Sequence, residues 1–564
     1  MTHDSPRQTW MTTPYRRRLC VLSDAAHLPL LGHGRCGVER EALRVDAAGR
    51  LALTQHPRAL GAALTHPSIT TDYAEPLLEF VTPPQHDAAD VIERLDELHR
   101  FACQAIGDEL LWSQSMPCPL DDDRRIPIAW YGTSNPGILK HVYRRGLALR
   151  YGKAMQCIAG IHYNYSLADS LWPLLREVRD GCAPADRDTR STGYLALIRN
   201  FHRYGWLLLY LFGASPALCS GFVAGDRHGL EAFDAATLYL PYATSLRMSD
   251  LGYQNRVQEA VAPCLNDLDA YLEGLARAVA QPCPEYQAVG AKRDGEWLQL
   301  NTHLLQMENE FYSSICPKRT MRSGERLLDA LRSGGIEYVE VRSLDIDPFA
   351  PHGVAEATLR FVDAFLLFCA LDNSPCLAAG ESDICRRNFA AVAREGRRPG
   401  LTLQCGEQRV ALRSWARELL ARIHEAACVL DQQRGHTLAT AALDAQRAKL
   451  DDPQATPSAR VLEELRSLRN EPRGACFAFG MRQSLAHTEA FRARPLPAQV
   501  QARFEAAAAE SLRRQAELER TQIGNFDAFL AAYQAGTLNQ EWGEPSHDAL
   551  ARQPPHATDL TEDR

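Results

Sequence analysis

Two periods of apolar and polar alternation run along this chain, and they separate a strand-rich front from a helix-rich back. Apolar residues recur at alternate positions over Val38–Val45 and Thr70–Val81, which is typical of β-strands with one buried face. Further strands are predicted over Leu51–Thr54, Met155–Leu167, Leu298–Leu305 and Ile336–Leu344. This part of the chain therefore predicts a sheet.

Helical spacing of apolar residues appears between these strands and dominates after them. His86–Ile106 and Cys264–Val279 each have one apolar face, whereas Tyr194–Gly213 and Ala355–Leu371 are apolar on most faces and predict buried helices. Beyond about residue 400 the chain is rich in Ala, Arg, Glu and Leu and predicts helices over Val410–Leu430, Ser458–Leu468 and Pro497–Ala535. Together the elements predict the α+β fold class.

The same patterns divide the chain into four parts. Residues 1–24 are largely polar and are expected to form a loosely ordered extension, and residues 25–405 form the main unit of strands and helices. Residues 406–540 are expected to be a helical region packed on that unit. Residues 541–564 are rich in Pro, His and Asp and are expected to be a disordered tail.

Composition narrows the class of protein without identifying it. The 564 residues carry a formal net charge of −8, so no global basic field supports binding to nucleic acid. The 16 cysteines show no paired spacing, which indicates reduced thiols and a cytoplasmic protein. The longest apolar runs are too short to span a membrane, and the polar N-terminus does not resemble a secretory signal.

Two carboxylates stand on one face of the first long strand. Glu39 and Glu41 are same-face neighbours roughly 7 Å apart, and two ionised groups at that distance repel by about 2 kcal/mol at an effective dielectric near 20. A divalent cation with oxygen ligands relieves such repulsion, so the pair suggests a Mg²⁺ site. The alternative is a solvated strand end where Arg40 and Arg44 of neighbouring strands pair with the two acids.

Three other strands repeat this design. Glu79 shares a face with Leu77 and Val81, with Asp72 at the entrance of the strand; the other two strands carry the pairs His162 with Asn164 and Glu340 with Arg342. Taken alone, a strand His is more typical of a satisfied core or surface residue than of a ligand, and a Glu–Arg pair is more typical of a solvated strand face than of a site. Four pairs converging on one sheet would supply carboxylates, an imidazole and a guanidinium, which suits Mg²⁺ and a polyphosphate better than Zn²⁺.

A nucleotide bound here would need an unusual phosphate site. The chain has no P-loop, no dinucleotide-binding glycine fingerprint and no kinase loop motifs. Metal ions and basic side chains would have to hold the phosphates, and the candidates are Arg144, Arg145, Arg247, Lys318, Arg319, Arg322 and Arg342. The chemistry indicated is phosphoryl transfer, which depends on positioning and neutralisation of charge.

Several long motifs resemble one family. They include Glu39-Arg40-Glu41-Ala42-Leu43-Arg44-Val45, Ile69-Thr70-Thr71-Asp72-Tyr73-Ala74-Glu75, Tyr131-Gly132-Thr133-Ser134-Asn135, Tyr210-Leu211-Phe212-Gly213-Ala214-Ser215-Pro216 and Leu240-Pro241-Tyr242-Ala243-Thr244-Ser245-Leu246-Arg247. In this order they resemble glutamate–cysteine ligase of the type 1 family found in enteric and related bacteria, over roughly residues 30–405. The resemblance implies a glutamine-synthetase-like curved antiparallel sheet, flanked by helices, with the active site of a catalytic domain over residues 25–405 in its concavity.

The resemblance also implies a reaction and a set of site residues. The reaction is the ATP-dependent joining of the glutamate γ-carboxylate to the cysteine amine through γ-glutamyl phosphate, the first step of glutathione synthesis, by a protein expected to be a monomer. The implied ligands of Mg²⁺, with Mn²⁺ as the alternative, are Glu39, Glu41, Asp72, Glu79, His162 and Glu340. The implied catalytic charges are Arg342, Arg247 and Arg144; the implied substrate contacts are Tyr143, Tyr253, Gln156 and Asn164; the implied ATP contacts are Lys318, Arg319 and Arg322.

One departure and two alternatives remain open at this point. Cys316, next to Pro317-Lys318-Arg319, stands where the resemblance led us to expect a basic residue, so the phosphate role of that loop is in doubt. A phosphagen-type kinase on a related fold would use similar charges but release a stable phosphoryl product. A binding protein could use the same concavity for a metal–anion complex without turnover.

Overall fold

One antiparallel sheet carries the residues singled out by the sequence, and helices cover it. The computed structural model describes residues 13–120, 122–180, 187–223, 229–252, 261, 263–322 and 324–538. The strands are β1 Arg35–Val45, β2 Ile69–Thr71, β3 Leu77–Val81, β4 Leu110–Leu111, β5 Ile161–Ser166, β6 Ala217–Cys219, β7 Glu231–Ala232, β8 Thr237–Tyr239, β9 Lys292–Arg293, β10 Glu296–Trp297, β11 Ile315–Lys318, β12 Tyr338–Leu344, β13 Thr402–Cys405 and β14 Gln408–Ala411.

The helices are distributed over the whole described chain. They are α1 Pro14–Leu22, α2 Ala88–Ala105, α3 Asn135–Tyr151, α4 Leu171–Asp180, α5 Arg187–Tyr204, α6 Trp206–Phe212, α7 Leu268–Ala280, α8 Pro284–Val289, α9 Leu327–Gly334, α10 Glu356–Leu371, α11 Glu381–Glu395, α12 Leu412–Arg434, α13 Leu438–Asp451, α14 Pro457–Ser467, α15 Ala475–Arg492, α16 Ala498–Thr521 and α17 Phe526–Ala535. Short 3₁₀ turns connect several of them. The mixture of an antiparallel sheet and helices confirms the predicted α+β fold class.

The main sheet has seven strands with β1 near its centre. Its order is β11-β12-β5-β1-β3-β2, with β4 pairing the end of β1, and every pair is antiparallel. Val38, Arg40 and Ala42 of β1 are buried toward the covering helices, while Glu39 and Glu41 face the opposite side. Alternate residues of β1 therefore face the hydrophobic core and the acidic side of the sheet in turn, as the sequence predicted.

The segment predicted as a single strand over Thr70–Val81 is a hairpin of two strands. Asp72 donates its backbone N–H to the Leu77 carbonyl at 3.0 Å, and Leu77 donates to Ala74 at 2.9 Å, so the chain reverses between β2 and β3. Pro76 lies in this turn, and proline has no N–H with which to continue a ladder. The reversal places Asp72 at the hairpin tip.

The prediction of a strand over Leu298–Leu305 is wrong, because side chains there bond to the local backbone. Gln306 Oε1 accepts from Leu300 N at 3.0 Å, and Asn301 Oδ1 accepts from His303 N at 3.0 Å. Such local bonds compete with a ladder and favour an irregular loop. The helices α13 and α15, which the sequence did not predict, lie in the back part of the chain that was expected to be helical.

The helical back part shares the main hydrophobic core with the sheet. Helix α10 is buried along nearly its whole length and packs against α5, α12 and α13. Helices from the region beyond residue 405 thus pack on the helices that cover the sheet, while the division of the chain near residue 405 stays a prediction. Residues 541–564, expected to be disordered, and residues 1–12 lie outside the described residues.

Residues 13–24 do not form the loosely ordered extension that was predicted. They contain α1, whose Tyr15 and Leu22 are buried in the core, and Tyr15 donates its hydroxyl to the Arg422 carbonyl at 2.6 Å. The sequence did not predict this helix, because charged residues separate the few apolar positions of the segment. Within the described chain, no helix combines the length and the apolar character that crossing a membrane requires.

Candidate active site

A cavity of about 310 Å³ lies against the face of the sheet that carries the acidic residues. The walls come from strands β1, β3, β5, β11 and β12, helix α3 and the turn before β11. Twelve of the sequence-predicted residues line it: Glu39, Glu41, Asp72, Glu79, Tyr143, Arg144, Gln156, His162, Arg247, Lys318, Glu340 and Arg342. All six predicted metal ligands are among them.

Strand register brings the acidic residues together. Glu41 lies directly opposite Glu79, and Glu39 lies directly opposite His162 in the antiparallel pairs of β1. Residues that face each other in this way have Cβ atoms about 4.5–5.5 Å apart. Four acidic or imidazole groups on three neighbouring strands therefore meet on one face of the sheet. Alternation alone could not have fixed this register.

His162 is the centre of the cluster. Its Nδ1 lies 3.3 Å from an oxygen of Glu39 and 3.3 Å from an oxygen of Glu340, and its Nε2 lies 3.7 Å from Glu41. Burial alone would lower the pKa of His162, but the charge of Glu41 and the bonds to Glu340 and Glu39 outweigh it and raise the pKa to about 10. In the absence of a metal the imidazole is therefore protonated and neutralises part of the acidic charge.

The acidic end of the cavity has the donors of a divalent-cation site. One ligand atom from each of Glu39, Glu79 and His162 lies within 4.8 Å of the others. Burial raises the pKa of Glu79 well above its usual value, and the charges of Glu39, Asp72 and Glu41 raise it further. Burial also raises the pKa of Glu41, although His162 opposes the shift. A group of carboxylates that repel one another and converge on a common point fits a cation with oxygen ligands.

Cations lie directly beside this acidic end of the cavity. Lys318 Nζ lies 2.8 Å from Glu340 Oε2, and Arg342 Nη1 lies 4.0 Å from the same oxygen. Burial would raise the pKa of Glu340, but Lys318 and Arg342 reverse this and hold the pKa well below its usual range. Cys316, which stands where the resemblance led us to expect a basic residue, lies opposite Glu340 in the ladder.

Arg247 is held in place by a buried carboxylate. Asp345 accepts from the Ser215 hydroxyl at 2.7 Å and from the Ser245 hydroxyl at 2.8 Å, which ties together the loops before and beside Arg247. Arg247 Nη2 donates to the Arg342 carbonyl at 2.9 Å. A Cβ added at Gly160 would lie 1.9 Å from Arg247 Nη2, so only glycine fits beneath this guanidinium. The Gly160 N–H also donates to Glu41 Oε2 at 2.6 Å.

Helix α3 supplies the side wall of the cavity. The helix begins after Ser134, whose hydroxyl accepts from Gly137 N, and Pro136 in its first turn suits a helix start. From this helix Tyr143 and Arg144 reach the cavity. Arg144 donates through Nε to the Asp72 carbonyl and lies 4.7 Å from the Tyr131 ring centre, so it connects α3 to the tip of the β2–β3 hairpin.

Four sequence-predicted residues that the structure describes do not line the cavity: Arg145, Asn164, Arg319 and Arg322. Asn164 supports a cavity residue instead, because its Nδ2 donates to Glu39 Oε1 at 2.9 Å. Arg319 donates to the Gly334 carbonyl at 2.7 Å and the Gly335 carbonyl at 3.2 Å, and Arg322 is exposed. The geometry therefore does not support ATP contacts from Arg319 and Arg322. Tyr253 lies outside the described residues.

The solvated-strand alternative for Glu39 and Glu41 does not match the geometry. Arg40 is buried on the opposite face of β1, and Arg44 pairs with Glu109 at 2.6 Å. The two acids thus face the cavity with His162 as the nearest positive group.

Sequence reasoning missed one wall of the cavity. The turn of Asn309, Glu310, Phe311 and Tyr312 lines it, and Glu310 is fixed there by Arg150 at 3.0 Å in a pair with almost no exposed surface. This segment has no periodic pattern and no motif, because its position is set by a buried ion pair with a helix distant in the sequence. No signal in the sequence would have found it.

Comparisons with known proteins agree on one family. The family model described as Glutamate-cysteine ligase matches residues 19–392. The glutamate–cysteine ligase of Pseudomonas paraeruginosa is 58% identical over 523 residues, which are 93% of this chain and 98% of that protein. The enzyme of that name from Janthinobacterium sp. (strain Marseille) is 55% identical over 530 residues, which are 94% of this chain and 99% of that protein.

Solved structures extend the comparison to the fold. The chain superposes with a TM-score of 0.83 and 34% identity on the crystal structure of a glutamate–cysteine ligase from Francisella tularensis in complex with AMP, covering 89% of this chain and 98% of that one. A bifunctional glutathione synthetase from Pasteurella multocida has a similar fold, with a TM-score of 0.64, 24% identity and coverage of 92% and 58%. On the family match and the identity over nearly its full length, this chain belongs to the glutamate–cysteine ligase family.

Proposed function

We propose that this protein joins the γ-carboxylate of L-glutamate to the amine of L-cysteine with conversion of ATP to ADP and phosphate, giving γ-glutamylcysteine, the first step of glutathione synthesis. The single observation that carries the proposal within the structure is that acidic side chains, an imidazole and several cations meet in one cavity. Carboxylates cluster around His162, and Lys318, Arg342 and Arg247 line the same cavity beside them. Family membership makes the same assignment, and the AMP complex of the Francisella relative supports a nucleotide in this fold.

The reaction needs activation because a carboxylate is a poor acyl donor. Its oxygen attacks the γ-phosphorus of ATP, the bond to the β-phosphate oxygen breaks, and ADP leaves. The cysteine nitrogen, after losing a proton, then attacks the acyl carbon of γ-glutamyl phosphate, and the carbon–oxygen bond to phosphate breaks. Both steps move negative charge among oxygens, so stabilisation of charge and alignment of the reactants supply most of the catalysis.

The acidic end would hold divalent cations. Glu39, Glu79 and His162 are the nearest set of donors, and Glu41, Asp72 and Glu340 surround them. A bound Mg²⁺, with Mn²⁺ as the alternative, supplies positive charge to phosphate oxygens. Asn164 orients Glu39, and the Gly160 N–H orients Glu41, so the chain itself fixes the direction of these carboxylates.

The cations of the cavity would bind the groups that carry negative charge in the reaction. Arg342 and Arg247 are joined through the Arg342 carbonyl and point into one cavity, which favours contacts to a transferring phosphoryl group. Lys318 adds a third cation. Arg144, Tyr143 and Gln156 form the wall opposite and are proposed to contact the amino acid substrates. Tyr253, implied by the resemblance as part of the cysteine pocket, remains a proposal on sequence grounds.

A product assay tests the function against both alternatives. The full chain is incubated with ATP, Mg²⁺ and glutamate, with and without cysteine, and ADP and γ-glutamylcysteine are measured together. We expect ADP release to depend on cysteine and to match the peptide formed. ADP accumulating without peptide would support the phosphagen-type kinase, and no turnover with tight ligand binding would support the binding protein. The expected monomer is measured on the same sample by light scattering.

A further inference from the structure

A second cavity, of about 270 Å³, lies outside the catalytic one. Four separate parts of the chain enclose it: helix α7, the loop over residues 301–308, helix α9 and helix α17. Gln534 of α17 donates through Nε2 to the Leu300 carbonyl at 3.0 Å, and Arg326 donates to the Gln534 carbonyl at 2.9 Å. The C-terminal helix is therefore bonded to two of the other walls, which gives the cavity a fixed shape.

A buried carboxyl group in this cavity lacks a donor. Glu308 lines it with 5% of its surface exposed, and its Oε1 has no hydrogen-bond partner among the residues that the structure describes. Arg326, which also lines the cavity, is engaged by Asp329 through two bonds of 2.7 and 3.1 Å. A buried carboxylate oxygen left without a donor is costly, so the site favours a ligand that brings one.

The rest of the lining defines the shape of such a ligand. Ala276, Val279 and Leu328 form an apolar wall, while His303 and Arg332 add polar groups to the lining. A short aliphatic chain would cover the apolar wall, and a positively charged donor at its end would reach Glu308. A charged donor makes the strongest hydrogen bonds to a carboxylate.

We propose that this cavity is a second binding site, which takes a small molecule carrying a primary ammonium group on a short apolar chain, bound to Glu308. Simple amines and α-amino acids share this chemistry. The site is separate from the catalytic one, although the two are neighbours: the 3₁₀ turn Glu308–Glu310 places Glu308 in the second cavity and Glu310 in the catalytic cavity.

The binding test uses three probes with similar chains and different charged groups. n-Butylamine carries only the ammonium, L-norvaline carries ammonium and carboxylate, and n-butyrate carries only the carboxylate. Binding to the full chain is measured by isothermal titration calorimetry in the absence of ATP. We expect butylamine and norvaline to bind and butyrate not to bind. Binding of norvaline that exceeds that of butylamine would identify amino acids as the natural class, and the reverse order would identify amines.

Matched variants decide which cavity is occupied. Glu308→Gln keeps the size of the side chain and should weaken binding of the ammonium probes roughly 10- to 100-fold, the effect of losing a charged acceptor. Glu79→Gln, in the catalytic cavity, should leave butylamine binding unchanged. Ala276→Leu narrows the second cavity without changing charge and should also abolish binding. The proposal is overturned if neither ammonium probe binds, if butyrate binds equally well, or if Glu79→Gln removes binding and Glu308→Gln does not.

Discussion

Glu75 and Glu79 belong to the same hairpin, yet the structure gives them opposite tasks. Glu75 is buried in the turn and accepts backbone N–H groups from His56 and Trp130, each at 2.8 Å. Glu79 faces the catalytic cavity, where Glu39, Asp72 and Glu41 raise its pKa in addition to burial. One carboxylate therefore stabilises the fold, whereas the other is held in a cluster of like charge.

Glu79→Gln is expected to lower kcat by about 10²- to 10³-fold, the usual effect of removing one group that stabilises reacting charge. The melting temperature should stay the same or rise, because the substitution removes a group that its neighbours repel. Turnover and thermal unfolding of the same preparation measure the two effects. A variant that mainly unfolds would show that Glu79 is a structural partner.

Glu75→Gln is the matched control in the same hairpin. It weakens two charge-assisted hydrogen bonds to backbone N–H groups and should cost about 1–3 kcal/mol of stability. Because Glu75 does not line the cavity, kcat of the folded enzyme should be close to that of the wild type. We therefore expect Glu79→Gln to lose activity but not stability, and Glu75→Gln to lose stability but not activity.

The raised pKa of Glu79 also predicts how divalent cations and protons compete. The pKa of Glu79 is higher in the folded protein than in the unfolded chain, so the folded protein binds this proton more tightly. The stability that the proton on Glu79 contributes is therefore lost as the pH rises through the folded-state pKa. A cation must displace that proton. Mg²⁺ should therefore raise the melting temperature by a larger amount as the pH rises across the range in which the protein stays folded.

Thermal unfolding with Mg²⁺ or with EDTA, across this pH range, tests the competition. Glu79→Gln has no proton to displace at this position, so its response to Mg²⁺ should be smaller and should vary less with pH. If Mg²⁺ shifts the melting temperature of the wild type and of Glu79→Gln equally at every pH, the cation does not bind at Glu79.

At the scale of residues, the sequence predicted the composition of the site better than its contacts. Alternation put Glu39 and Glu41 on one face, but only the register of β1 with β3 and β5 brings them opposite Glu79 and His162. Asn164 shares the face of His162 and yet bonds to Glu39 beside the cavity. Side-chain direction at a strand position is local, whereas partners across strands depend on the whole sheet.

At the scale of elements, Lys318 at the end of strand β11 and Arg319 directly after it have different roles, although the sequence suggested the same phosphate contact for both. Lys318 ends the strand and points into the cavity, where it pairs with Glu340. Arg319 turns away and donates to the carbonyls of Gly334 and Gly335, at the C-terminal end of α9. Adjacent residues of an extended chain face opposite sides, so only one of them can reach the site.

Substitution of Arg319 should therefore affect stability, whereas substitution of Lys318 should affect activity. Arg319→Ala removes donors from the end of α9 and should cost about 1–2 kcal/mol of stability while KM for ATP stays within about twofold. Lys318→Met should leave Glu340 without its nearest cation and should change kcat or KM for ATP by at least tenfold, on the order expected for a charged contact. Arg322→Ala, at an exposed site, is the control and should change neither.

Element types were more predictable than element ends. Long periodic segments such as α2 and the buried helix α10 were predicted within a few residues, because their apolar pattern persists over several turns. The β2–β3 hairpin and the loop after Trp297 were not, because a proline turn and side-chain bonds from Asn301 and Gln306 override the alternation there. Such overrides depend on contacts that a periodic pattern does not contain.

At the scale of the whole molecule, helix α1 joins the front and the back of the chain. Arg18 is buried and donates through Nη1 to the carbonyls of Leu371 and Asp372, at 2.7 and 3.0 Å, where α10 ends. Tyr15 donates to the Arg422 carbonyl on α12. One short helix thus caps the C-terminal end of the central buried helix α10 and contacts helix α12 behind it.

Arg18→Ala should therefore destabilise the molecule without changing the site. The last carbonyls of α10 lose their donors in a buried environment, and a cost of about 2–3 kcal/mol is expected from bonds to a charged group. Arg322→Ala, at an exposed position elsewhere in the chain, should stay within about 0.5 kcal/mol of the wild type. Denaturant unfolding measures both, and KM for ATP, glutamate and cysteine should be unchanged in the folded fraction of either variant. Equal stability of the two variants would mean that the Arg18 bonds to α10 add nothing to the free energy of unfolding. Helix α1 would then contribute as little to stability as the loosely ordered extension that the sequence predicted.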